Sequence, residues 1–169
     1  MALQLFEIAD VTVSSPVSSV DFTSIPQGYT DLIVKASVRT NYSGTEGALL
    51  IGFNGSTANF TLMMLRGSGS TTGSFTRTTF SENRICYINS AGGTASTFAN
   101  VEITIPNYTS ANYKSMNIEG VQEGNTTTVY SALTAGLWSQ TAAITSLNFT
   151  IGSADVFSAN STFTLYGVL

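Results

Sequence analysis

The sequence predicts an all-β protein, built as a sandwich or a barrel. Three observations carry the expectation. Apolar and polar residues alternate with a period of two along the whole chain. Clusters of Gly, Pro, Asn and Ser interrupt that alternation at roughly ten-residue spacing. No window carries a convincing stripe of apolar residues at helical intervals.

The elements follow in order. Strands are expected at 3–8 and 16–22, before a turn at Pro26-Gln27-Gly28. Leu32, Val34, Ala36 and Val38 then alternate with Lys35, Ser37 and Arg39, which gives a strand one buried and one wet face. A strand at 48–53 leads to Asn54-Gly55 and another at 58–65. Asn54-Gly55 is expected to begin a hairpin turn, through a connection longer than the tight two-residue type. Segment 66–83 reads RGSGSTTGSFTRTTFSEN and holds Phe75 and Phe80 as its apolar anchors. It is expected to protrude as a loop or loose hairpin, with Arg66, Arg77 and Arg84 in or beside it.

Strands follow at 84–88, at Val101-Ile103-Ile105 and at 113–121, with turns at Gly92-Gly93 and Glu123-Gly124-Asn125. The stretch 126–138 is apolar on both sides, through Val129, Leu133 and Leu137 on one and Tyr130, Ala132 and Trp138 on the other. Such a strand is central, or its second face meets another subunit. Leu147-Phe149-Ile151 and Phe163-Leu165 supply the last strands. No linker divides the 169 residues, so one domain spans 1–169.

Composition narrows the function. The chain has no histidine, one cysteine and 9% charged residues, against about 25% in an ordinary domain. Ser-His-Asp and Cys-His catalysis and a structural zinc site all lack their residues. No metal or cofactor is expected. The six basic residues are scattered and the net charge is −4, which argues against nucleic acid. No basic amphipathic stretch points to a membrane. The first residues, Met-Ala-Leu-Gln-Leu-Phe-Glu, have no basic start and no long apolar run, so no signal peptide is expected. Cys86 is expected to be a buried thiol. The triplets at Asn54, Asn107 and Asn148 are read as products of composition rather than glycan acceptors.

Two carboxylates can hydrolyse a glycosidic bond at separations of about 5–9.5 Å. Glu119 and Glu123 sit in or beside one strand on one face, and are read as solvated side chains. Tyr29, Tyr42, Tyr108 and Tyr113 fall near turns and strand ends, where a ring can be buried with its hydroxyl in water.

Several phrases read together. They are Ser24-Ile25-Pro26-Gln27-Gly28-Tyr29-Thr30-Asp31-Leu32, Ile51-Gly52-Phe53-Asn54-Gly55-Ser56 and Ile105-Pro106-Asn107-Tyr108-Thr109-Ser110 with Lys114-Ser115. Ala135-Gly136-Leu137-Trp138-Ser139 and Leu165-Tyr166-Gly167-Val168 complete the set. The ensemble resembles small virion structural proteins encoded by tailed phages, marine and cyanobacterial ones above all. It covers nearly the whole chain, with segment 66–83 outside it.

The resemblance implies an antiparallel β-sandwich of jelly-roll type, made in the host cytoplasm and carried on the virion. It implies a non-enzymatic protein that decorates the capsid, with the major capsid protein or another virion protein as partner. Homo-oligomers, taken as trimers, are expected, because edge strands need cover. Leu3, Leu5 and Phe6 are the expected capsid contacts, with Tyr108 and Tyr113 as a second set. The alternative is a tail-fibre or head-fibre module that binds a host glycan through its exposed Tyr and Asn residues and segment 66–83. A polysaccharide-cleaving enzyme ranks third.

Overall fold

The computed structural model describes residues 4–69, 71–78, 83–124 and 129–169. Leu3, Phe80 and Asn125 lie outside these residues. The described strands are β1 (Leu5–Thr12), β2 (Ser19–Phe22), β3 (Asp31–Val38), β4 (Glu46–Phe53), β5 (Phe60–Ser68) and β6 (Thr71–Thr78). They continue with β7 (Arg84–Asn89), β8 (Ala99–Pro106), β9 (Lys114–Glu123), β10 (Val129–Trp138), β11 (Leu147–Ile151) and β12 (Thr162–Val168). A single 3-10 turn at Gly152–Ala154 is the only helical element among the described residues.

Two antiparallel sheets stack as a sandwich. One runs β1-β12-β3-β8-β9-β10-β5-β6, the other β2-β11-β4-β7. The pairing is nested: β1 with β12, β2 with β11, β3 with β8 and β4 with β7. Successive nested pairs alternate between the sheets. The hairpins β5–β6 and β9–β10 stand outside the nest. They pair with each other through β10 and β5, and they extend the first sheet by four strands.

Strand period explains the layers. Leu32, Val34, Val38, Val101, Ile103, Ile105, Phe163 and Leu165 point inward from the large sheet. Val20, Phe22, Leu49, Ile51, Leu147 and Phe149 meet them from the small one. Phe149 packs edge-on to Phe22 at 6.3 Å and tilted on Phe163 at 5.2 Å, and Phe157 closes the row on Phe163 at 5.2 Å. A second aromatic group joins Phe53, Phe60 and Trp138 at 5.1–6.3 Å.

Three expectations need correction. Asn54-Gly55 is a tight two-residue turn. Phe53 and Ser56 exchange both backbone hydrogen bonds, at 3.0 and 2.9 Å, and φ is +53° and +74° at the two central residues. It opens no hairpin, however, because β4 pairs with β11 and β7 while β5 crosses to the other sheet. The Asn54 side chain drives this exit. Its Oδ1 accepts from the Thr145 and Ser146 amides, and its Nδ2 donates to the Ala143 carbonyl.

Segment 66–83, expected as a loop or loose hairpin, is a regular hairpin over its described part, and residues 70 and 79–82 lie outside the described residues. Its register runs unbroken from Thr61↔Thr78 to Ser68↔Thr71, so β6 is a full edge strand.

Tyr108, expected at a contact surface, is fully buried. Its ring fills the core and its hydroxyl donates to the Pro26 carbonyl. The phenol has no wet end, and Tyr108 offers nothing to a partner.

Cys86 on β7 is buried against β9. A methyl group at Gly120 would stand 3.1 Å from the Cys86 Cβ, so glycine there allows the sheets their close approach. Burial pushes the Cys86 thiol up to about 12. The native protein is therefore expected to resist a thiol reagent at pH 8 and to react once unfolded, as titration with Ellman's reagent will read. The unfolded thiol ionises at the ordinary 9.0 and the folded one does not. The unfolded state thus loses its proton first, and stability declines as pH rises from 9 toward 12. Cys86→Ala is expected to remove that share of the decline in urea melts across this range.

Candidate functional site

The four added strands carry the unusual surface. Inward-facing residues of β9, β10 and β5 pack under β7, as period two requires: Met116, Ile118, Trp138, Leu62 and Met64 are buried. The opposite positions face solvent and are also apolar. Met63 and Leu65 on β5, Val121 on β9, and Val129, Leu133 and Leu137 on β10 are 38–60% exposed. β10 is thus interior to its sheet, as one of the two sequence alternatives has it, and is uncovered on its odd side.

Register joins these residues into one patch. Leu133 lies across from Leu65 on one side and Glu119 on the other. Ser131 lies between Gly67 and Val121. The small side chains of that second row leave a trough of about 810 Å³, walled by Leu65, Leu133 and Val121 and closed at the β6 side by Thr72 and Ser74. No aromatic ring lines it among the described residues.

Carboxylates flank Val121 on β9, with Glu119 opposite Leu133 and Glu123 opposite Val129. Glu119 stands across from Glu102, and Glu102 is bound to Lys35 at 3.2 Å on the next strand. Like carboxylates opposite one another repel, and the Lys35 ammonium offsets part of this. Beyond Glu119 toward β6 the row becomes Leu133, Leu65 and Ser74.

Arg66 fastens the extension to the sandwich. Its guanidinium donates to the Glu46 carboxylate on β4 at 2.6 Å, and lies 4.5 Å from the Tyr87 ring and 5.2 Å from that of Tyr130. Gln122 donates to the same carboxylate at 3.3 Å. Residues of β4, β5, β7, β9 and β10 therefore meet at one point, on the side of the sheet opposite the exposed face.

The other sequence candidates are dispersed. Leu5 is 45% exposed on β1, at the far edge of the same sheet, and Phe6 beside it tilts onto Tyr29 at 5.9 Å. Tyr113, at 59%, precedes β9 and stands apart from both. Glu119 and Glu123 share a face of β9 with Val121 between them, their Cα atoms roughly 14 Å apart along the strand at about 3.4 Å per residue. That exceeds the separation a glycosidase pair uses. Glu123 is engaged as well, accepting from Thr94 at 2.7 Å and Thr97 at 3.2 Å. Among the described residues no cluster of carboxylate or thiol groups has the makings of a metal centre.

Sequence reasoning marked the β10 half of the patch and missed Met63, Leu65 and Val121. A signal was present: 60–65 is apolar at every position except Thr61. Comparison with family models, with curated proteins and with solved structures finds no match, so the surface is interpreted from its own residues.

Proposed function

We propose that this chain is a structural subunit of a phage particle that decorates the capsid by binding its major shell protein. One observation carries the reading: a sheet face on which Met63, Leu65, Val121, Val129, Leu133 and Leu137 stand exposed together. Large apolar patches on a folded surface mark sites of protein contact. Leu5 and Phe6 are also exposed at the other edge of the sheet, on opposite faces of β1.

The nested pairing supports the fold that the resemblance implies. Pairs β1·β12, β2·β11, β3·β8 and β4·β7, alternating between two sheets, are what an eight-stranded jelly roll requires. We read those eight strands as the jelly roll and the two hairpins as insertions that give it its adhesive face. Jelly rolls serve in viral shells and in lectins, so the fold suits both the capsid role and the glycan alternative. The trough favours the first, because sugar recognition draws on stacking rings and its walls are aliphatic.

The test is addition of the purified chain to particles stripped of it, followed by sedimentation. Saturable co-sedimentation is expected, with a loss of at least about tenfold on Leu65→Glu/Leu133→Glu, since each buried leucine contributes about 1.5–3 kcal/mol. Failure of the wild-type chain to bind any particle overturns the proposal. Saturable binding to a host glycan, with none to heads, transfers it to the fibre-module reading.

A further inference from the structure

We infer that β6 is a self-pairing edge, through which two copies of this chain join their large sheets into one. The inference stands on the edge itself and does not depend on the capsid reading.

An exposed sheet edge invites another strand, and proteins usually blunt it with charge, proline, a bulge or brevity. Three of the four edges here are blunted. On β1 the register shifts between Glu7 and Ala9, and Glu7 and Asp10 add charge. On β2 the strand is four residues long and carries Asp21. On β7 the register shifts beside Arg84. β6 reads Thr-Thr-Gly-Ser-Phe-Thr over residues 71–76, with no proline and no shift in register, and its charged residue, Arg77, comes next to last.

The hairpin geometry says which groups are free. Gly69 donates its amide to the Val129 carbonyl, which turns Ser68, Arg66 and Met64 of β5 toward β6, so their partners Thr71, Gly73 and Phe75 bond back to β5. The amides and carbonyls of Thr72, Ser74 and Thr76 then point away from the sheet.

A second copy of the same strand fits these groups. An antiparallel pair centred on Ser74 sets Ser74 against itself and Thr72 against Thr76, which uses the outward groups of these three residues on both strands. On the other face it sets Phe75 across from Gly73, so each ring covers the partner's bare glycine. Phe75 is 44% exposed in the single chain and gains that cover. The contact is isologous and closes as a dimer. The apolar faces of the two copies then lie side by side on one continuous sheet.

The experiment is sedimentation velocity on the full chain across concentration, up to roughly 100 μM. A single edge contact falls in the small, transient class, so a dimer with a dissociation constant of about 1–100 μM is expected. Ser74→Pro removes an outward amide at a position where an edge strand tolerates proline, and is expected to give a monomer with an unchanged circular dichroism spectrum. Thr72→Lys provides the same result without altering the backbone. Ser74→Cys is expected to trap a dimer with a short bis-maleimide, while Ser115→Cys on the outer face of β9 does not. A wild-type monomer at the highest concentration overturns the inference. So does a dimer that survives both Ser74→Pro and Thr72→Lys.

Discussion

Phe149→Ala is expected to lower the unfolding free energy by about 3–5 kcal/mol, the usual range for deleting a buried phenylalanine. The cause is local and geometric. Phe149 is fully buried on β11 and touches a ring on either side, Phe22 from its own sheet and Phe163 from the other. Its removal leaves a void between two sheets that hydrogen bonding holds at fixed spacing, so the walls cannot collapse into it. Domains of this kind are stable by about 5–15 kcal/mol, so the variant loses a large fraction of the total. A fall in melting temperature of about 10–15 °C follows at this chain length. Phe149→Leu retains most of the volume and is expected to lose less than half as much. Urea melts of the three proteins, compared at constant slope, check both values.

Lys114→Met is the second large effect, at about 2–3 kcal/mol. Lys114 opens β9 and is 1% exposed, unusual for the most hydrated of side chains. Its ammonium donates to the carbonyls of Ser110 at 2.7 Å, Asn112 at 2.5 Å and Thr141 at 3.5 Å, and lies 6.0 Å from the Trp138 ring. One cation thus satisfies carbonyls from two loops. Methionine keeps the stem and leaves those carbonyls without their donor, each at a cost of about 1–3 kcal/mol when buried. Relief of the buried charge offsets part of this.

The pH dependence separates the two contributions. Burial holds the Lys114 ammonium below its ordinary 10.5, so the unfolded chain binds more protons in the interval beneath that value. Wild-type stability therefore gains from this residue as pH rises through the interval, and Lys114→Met lacks the gain. The difference between the two proteins is expected to widen with pH there.

The core strands were legible because each has one wet and one dry face. β3 and β8 alternate cleanly, and the structure buries the side that the alternation marks. β6 gives no such signal. Its sequence has one apolar residue in the first six, and it is a strand because β5 offers it an open edge with an in-register partner. Tyr108 misleads for a related reason. A tyrosine beside a turn is compatible with a wet hydroxyl, and whether a carbonyl such as that of Pro26 waits inside depends on a chain segment 82 residues away. The candidate face was half visible, because apolar residues on both sides of β10 announce a second contact without naming the strands that share it. Pairing order is the least legible of all, since nested partners are distant in sequence and nothing local selects them.

That nesting has a consequence for how the protein comes into being. β1 lies against β12, so the first strand to leave the ribosome waits for the last before it has a neighbour. Ladders of such long span close slowly, because chain entropy is surrendered before the contacts that reward it form. The sandwich is accordingly expected to close as a whole once β12 has been made, rather than by stages.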